Sequence, residues 1–129
     1  MIVLDAAALV DAVLDQPSKA WVLNQLTGQD VCAPAHQPAE VLSAVARLLR
    51  ADQISWEIAH GALAEAQALV QELVPPSVAH LAWHWICRTA SGSSTGCTSP
   101  WPQDRGCPLV TTDGRLRRAA PPCEVRVPD

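Results

Sequence analysis

Three acidic residues stand where chemistry is easiest to build. Asp5 closes the apolar run "MIVLD", Glu40 opens "PAEVLSAVARLLRAD", and Asp113 follows "CPLVTT". Carboxylates that converge repel one another, and burying them is costly. A hard divalent cation such as Mg²⁺ or Mn²⁺ relieves both problems, because it takes one or two carboxylates directly and keeps several waters. Such a site polarises a phosphodiester and lowers the pKa of an attacking water. Asp5, Glu40 and Asp113 are therefore the candidate catalytic and metal-ligating residues. Each also has a plainer reading when taken alone. Asp5 caps the helix that follows, Glu40 complements a helix dipole, and Asp113-Gly114 makes a turn. Their equivalent positions, at strand ends and at one helix start, favour the shared site.

The elements that must position these acids are legible from spacing. "MIVLD", "DVCAP" and "CPLVTT" are short apolar runs of the kind that form strands buried on both faces. "CEVRVPD" suits a last edge strand limited by prolines. Between them lie helical patterns. Leu9, Val10, Val13 and Leu14 share a face after Asp5. Ser18 is placed to cap "KAWVLNQL", which Gly28 ends. Pro38 stands near the start of a helix whose stripe is Val41, Leu42, Val45, Leu48 and Leu49. Ser55 caps a further helix read through "ISWEIAHGALAEAQALVQEL", and "VPPSVAHLAWHW" gives a linker with room for a short strand, then a helix start. Strands alternating with helices predict an α/β fold of three layers with a central parallel sheet flanked by helices. In such sheets ligands bind at the carboxyl ends of the strands, where Asp5 and Asp113 fall.

The totals narrow the class. The chain of 129 residues suits one domain spanning 1–129, and 49% apolar residues supply a core. Net charge is −4, so a nucleic-acid partner would have to be met by a local basic patch. "RLRR" (Arg115, Arg117, Arg118) beside Asp113 offers one for RNA phosphates, with a solvated turn as the equally good alternative. No apolar run is long enough to span a membrane, and the start lacks a basic region, so a cytoplasmic protein is expected. Five cysteines (Cys32, Cys87, Cys97, Cys107, Cys123) include no close pair and read as reduced thiols. His36, His60 and His80 are scattered and read as surface or packing residues.

The motifs "MIVLDAAALVDAVL", "PAEVLSAVARLLRA" and "CPLVTTDGRLRRA" together resemble the PIN-domain ribonucleases, and more narrowly the VapC-type toxins of type II toxin–antitoxin systems. The resemblance spans about residues 1–83 and 104–126. It implies a PIN-like fold, Mg²⁺-dependent endoribonuclease activity on RNA, inhibition by a cognate antitoxin protein and a homodimer. By motif position it assigns Asp5, Glu40 and Asp113 to the family's acidic residues. There are two departures. Ala7 stands where the family often has a Ser or Thr able to bond a ligating carboxylate. A further Asp, expected on a helix shortly before "CPLVTTD", is missing.

That helix should lie within "HWICRTASGSSTGCTSPWPQDRG", a segment of Trp, Cys, Ser and Thr with no period, aberrant over about 84–103. Shifting the reading frame by two bases, "WHWICRTASGSSTGCTSPWPQ" can be read as ALDLPDSVRFVDGLYVALAA, given GC-rich wobble bases. The run DGLYVALA is close to the missing motif and restores a Phe and a Tyr to a chain that has neither. The segment is read as a compensated frameshift, entered near His84 and left near Gln103-Asp104, arising from a sequencing error or a double mutation. As written, Gly92, Gly96, Pro100 and Pro102 oppose the helix, and Asp104 lies on the strand side of the gap and does not replace the lost acid. An inactive remnant that only binds an antitoxin or a sister subunit is the alternative function. Zinc on His84, Cys87, Cys97 and Cys107 is the weaker site reading, since only the first spacing suits a ligand pair. Resequencing the genomic DNA across codons 83 to 104 is expected to reveal the alternative frame, and bases that encode no such helix overturn this reading.

Overall fold

A computed structural model describes residues 1–75, 77–78, 106–118 and 123–129 of the chain. In chain order the elements are β1 (Ile2–Leu4), α1 (Ala6–Val13), α2 (Lys19–Leu26), β2 (Val31–Pro34), α3 (Gln37–Arg50) and α4 (Trp56–Leu69). These are followed by β3 (Glu72–Val74), β4 (Leu109–Val110), α5 (Gly114–Arg118) and β5 (Val125–Arg126). The five strands form one sheet in the order β3-β2-β1-β4-β5, every pairing parallel.

Alternation along the short strands sorts side chains between the two faces of the sheet. Ile2, Leu4, Val31 and Val110 enter one apolar cluster with α1 to α4, which contribute Leu9, Val13, Val22, Val41, Val45, Ala59 and Ala62. Val3, Cys32 and Leu109 enter a second cluster on the other face, with Cys107 and with Leu116 of α5. Both faces are thus covered, which accounts for uninterrupted apolar strands in place of an alternating pattern. Helices α1 to α4 share a face because successive steps from β1 to β2 to β3 move one way across the sheet with right-handed crossovers. At β1 the direction reverses toward β4 and β5, and α5 lies on the opposite face.

Local signals set several boundaries as the sequence suggests. Ser55 accepts a hydrogen bond from the Ile58 amide at 3.2 Å and starts α4. Gly28, at φ +69°, turns the chain after α2 into β2. Two expectations are corrected. Ser18 makes no side-chain cap bond, because it already has helical dihedrals and only its carbonyl accepts, from the Val22 amide. The helix read through Leu73 ends at Leu69, and Glu72–Val74 is an edge strand. Helical propensity is overridden there by sheet pairing. The Gln71 side chain accepts from the Val31 amide at 2.7 Å, the Gln71 amide donates to Val31, and Cys32 to Pro34 pair with Glu72 to Val74. The aberrant segment at about 84–103, with His80, His84, Cys87, Cys97 and Asp104, lies outside the described residues. Cys107 packs in the second apolar cluster, and none of Cys32, Cys107 and Cys123 is in a disulfide.

Gln37, only 1% exposed, ties α3 to the end of β1: its Nε2 donates to the Leu4 carbonyl at 2.7 Å. Gln37→Leu keeps the volume and removes the donor from a buried acceptor, and it is expected to cost about 1–3 kcal/mol in urea unfolding.

An acidic cleft at the strand ends

The reversal of strand order at β1 opens a crevice beyond the carboxyl ends of β1 and β4, the usual ligand position in open parallel sheets. A cleft of about 960 Å³ occupies it, with Asp5, Glu40 and Asp113 all on its walls. Asp5 leaves β1 with its amide bonded to the Val110 carbonyl at 3.0 Å, and its own carbonyl receives the first helical bond of α1, from Leu9. Its carboxylate makes no cap bond to α1 by geometry, though the amides of Ala6 and Ala7 lie near enough to favour its charge. Asp5 is thus the N-cap of α1 by position, as the plainer reading has it, though without a side-chain cap bond.

Instead Oδ2 of Asp5 accepts a 2.8 Å hydrogen bond from the Thr111 hydroxyl, across 106 residues of chain. Thr111 is fully buried at the end of β4, and its Oγ1 also accepts from the Asp113 amide at 3.1 Å. A hydroxyl does bond the Asp5 carboxylate, and it comes from Thr111 just past β4 and not from position 7. Desolvation pushes the Asp5 pKa above its ordinary value of 3.8 and the Thr111 bond opposes this, while the charge of Glu40 raises it further. Glu40 is half exposed in the first turn of α3, with His36 Nε2 at 3.9 Å from Oε1.

Asp113 is held differently. Its Oδ1 accepts from the Arg115 amide at 2.9 Å, and the Arg115 guanidinium grips both oxygens at 2.7 to 3.0 Å. That grip, ahead of the opposing effect of burial, holds the Asp113 pKa below the usual carboxylate range. In place of the turn read at Asp113-Gly114, Asp113 immediately precedes α5, whose first residue is Gly114, while lining the cleft. The three acids share the cleft, yet among the described residues no three His, Cys, Asp or Glu side chains gather closely enough to hold one ion. Asp5 and Glu40 fit a hard cation, being oxygen donors that already repel one another. Asp113, closed by Arg115, does not fit one as it stands.

Two further residues face the cleft without having been singled out. Asp11 follows Ala7 and Val10 at helical spacing, so α1 turns it inward. Burial raises its pKa, against a hydrogen bond from Thr112. The signal was an acid within an otherwise apolar helix. His36, read as a surface residue, lines the cleft beside Glu40, and Ser43 and Arg47 continue that face of α3.

The fold and the acids at its switch point define a PIN-like protein, and comparison with known proteins narrows the class. No protein-family model matches the chain. It is 34% identical over 128 residues to ribonuclease VapC1 of Mycobacterium tuberculosis, covering 97% of this chain and 96% of that protein. Ribonuclease VapC12 of the same organism is 31% identical over 127 residues, covering 92% of each, and ribonuclease VapC3 is 31% identical over 126 residues, covering 93% and 88%. The fold is similar, at TM-score 0.66 and 16% identity over the whole of both chains, to a crystal structure of VapBC2 from Rickettsia felis bound to a DNA fragment from their promoter. The chain belongs to the VapC family of PIN-domain ribonuclease toxins.

Folding raises the Asp5 pKa, so the folded state binds that proton more tightly than the unfolded chain does. The ionised carboxylate therefore destabilises the fold. The penalty is absent below the ordinary value of 3.8, grows as pH rises toward the folded pKa, and is complete above it. Asp5→Asn is expected to raise the Tm of the metal-free protein at neutral pH, with the gain vanishing as pH approaches about 4. Thermal melts in EDTA across a pH series check this, and an equal or lower Tm at neutral pH counts against it.

Proposed function

We propose that this protein is a metal-dependent endoribonuclease and the toxic partner of a toxin–antitoxin pair. The observation that carries the reading is the desolvated Asp5 carboxylate pressed by Glu40 at the end of the central strand, in a chain 34% identical to a VapC ribonuclease over nearly its whole length. Asp5 and Glu40 would hold Mg²⁺ or Mn²⁺, with Asp113 as the third acid of the cleft. The bound ion would lower the pKa of a water and polarise a phosphoryl oxygen.

The chain's own residues do the rest. Thr111 orients Asp5 and favours its ionised form, ready to meet a cation. Arg47 and Arg115 line the cleft, and Arg117 and Arg118 are exposed on α5. In a protein of net charge −4 they supply the local positive field that RNA phosphates require. A second groove of about 670 Å³ between α3 and α4, flanked by the exposed side chains of Leu42 and Leu73, suits an apolar partner segment. We assign it to the antitoxin or to a second copy in a homodimer, acting in the cytoplasm. Among the described residues no helix is long and apolar enough to cross a membrane.

One observation favours a second reading. Asp113 is engaged by Arg115 and no three-acid cluster is present among the described residues, as suits an inactive remnant that only binds its partners. An RNA cleavage assay separates the two. Mg²⁺-dependent cleavage is expected, and Asp5→Ala is expected to lower it by more than the ~10–100-fold that loss of a group supporting a metal ligand brings. Cleavage that survives Asp5→Ala overturns the metal-site assignment. Absence of cleavage by the wild type, with partner binding intact, favours the remnant.

A further inference from the structure

The Arg115–Asp113 pair is more than a surface ion pair. Nε of Arg115 lies 2.9 Å from Oδ1 and 3.0 Å from Oδ2, and Nη2 lies 2.7 Å from Oδ2, so both carboxylate oxygens sit in the guanidinium fork. The Asp113 side chain is 16% exposed and that of Arg115 is 58% exposed, so the arginine forms the solvent side of the pair. A carboxylate gripped at both oxygens, and accepting the Arg115 amide as well, has little left to offer a hard cation. A cation arriving at Asp113 would therefore have to displace the guanidinium. Among the described residues Asp5 and Glu40 meet no such fork: Asp5 accepts from a neutral hydroxyl, and Glu40 has a histidine at 3.9 Å.

The fork that grips a carboxylate grips a phosphate equally well, with two parallel N–H···O bonds. Arg115 lines the cleft where, on the ribonuclease reading, a phosphodiester enters. A phosphate in the cleft offers it an alternative partner of matching charge and geometry within reach of a flexible side chain.

We propose that Arg115 is a positioning residue that closes Asp113 in the free protein and releases it to a divalent cation when its guanidinium moves onto a nucleic-acid phosphate. This inference rests on the metal-dependent ribonuclease reading and deepens it. The third acid then completes the metal site only when substrate is present. Binding free energies are reciprocal, so phosphate strengthens metal binding by the same factor as metal strengthens phosphate binding.

Calorimetry with Mn²⁺ tests the cycle on the full chain, with and without a short single-stranded oligodeoxynucleotide whose integrity is checked on a gel. The oligonucleotide is expected to tighten Mn²⁺ binding to the wild type roughly fivefold or more. Arg115→Ala is expected to bind Mn²⁺ more tightly than the wild type without the oligonucleotide, and to show no further tightening with it. Arg115→Lys, which keeps the charge and loses the fork, is expected to fall between them. Equal Mn²⁺ affinity in wild type and Arg115→Ala, or tightening that persists in Arg115→Ala, overturns the inference and leaves the ribonuclease reading standing. Absence of Mn²⁺ binding in every variant overturns the metal-dependent reading and this inference with it.

Discussion

The structure turns on one desolvated carboxylate. Asp5 sits where the central strand runs out, and its burial works against the charge that makes it useful. Its neighbours hold the strand end in place despite that cost. The Asp5 amide reaches the Val110 carbonyl, Thr111 reaches its Oδ2, and Gln37 reaches the Leu4 carbonyl one residue earlier. These bonds come from β4 and from α3, the elements that also carry Asp113 and Glu40 to the cleft. The interactions that stabilise the end of β1 are thus the ones that assemble the acids. Sites built this way give up some stability where function needs a charge out of water.

The sheet explains why the cleft opens there. Parallel strands with right-handed crossovers place α1 to α4 on one face, and the reversal of direction at β1 carries the chain to the other. The cleft lies beyond the carboxyl ends of β1 and β4, where Asp5, Thr112 and Asp113 line it. The cleft mixes signs within a short distance. On the proposed reading, Asp5, Asp11 and Glu40 would suit a cation, while Arg47 and Arg115 would suit phosphate. Nucleic-acid hydrolysis needs both, and a chain of net negative charge can supply the second only locally.

Much of this was legible in the residues. Apolar runs too short and too uniform for helices marked β1, β2 and β4, while Ser55 marked the start of α4 and Gly28 the turn after α2. Asp5, Glu40 and Asp113 stood at element ends, where side chains reach a common crevice. Asp11 was not legible, because an acid inside an apolar helix reads as a solvated position until the helix is docked. Nor was β3, because Gln71 and Glu72 continue a helical pattern and only pairing with Val31 and Cys32 makes them extended.

The sequence alone therefore determined the class of fold, its parallel order of strand and helix, and the three acids worth watching, since periodicity and end positions are local properties. The tertiary structure decided what those acids touch. Thr111 reaches the Asp5 carboxylate from more than a hundred residues away. Arg115 closes on Asp113 through a side-chain conformation that spacing does not specify. Glu40 presses on Asp5 only because Gln37 docks the start of α3 on the end of β1. The Arg115 pair is local, two residues apart, and was hidden only by side-chain freedom; for the contacts of Asp5 the physical reason is that hydrogen bonds and desolvation act at contact distance, and contact between residues far apart in the chain exists only after the sheet has formed.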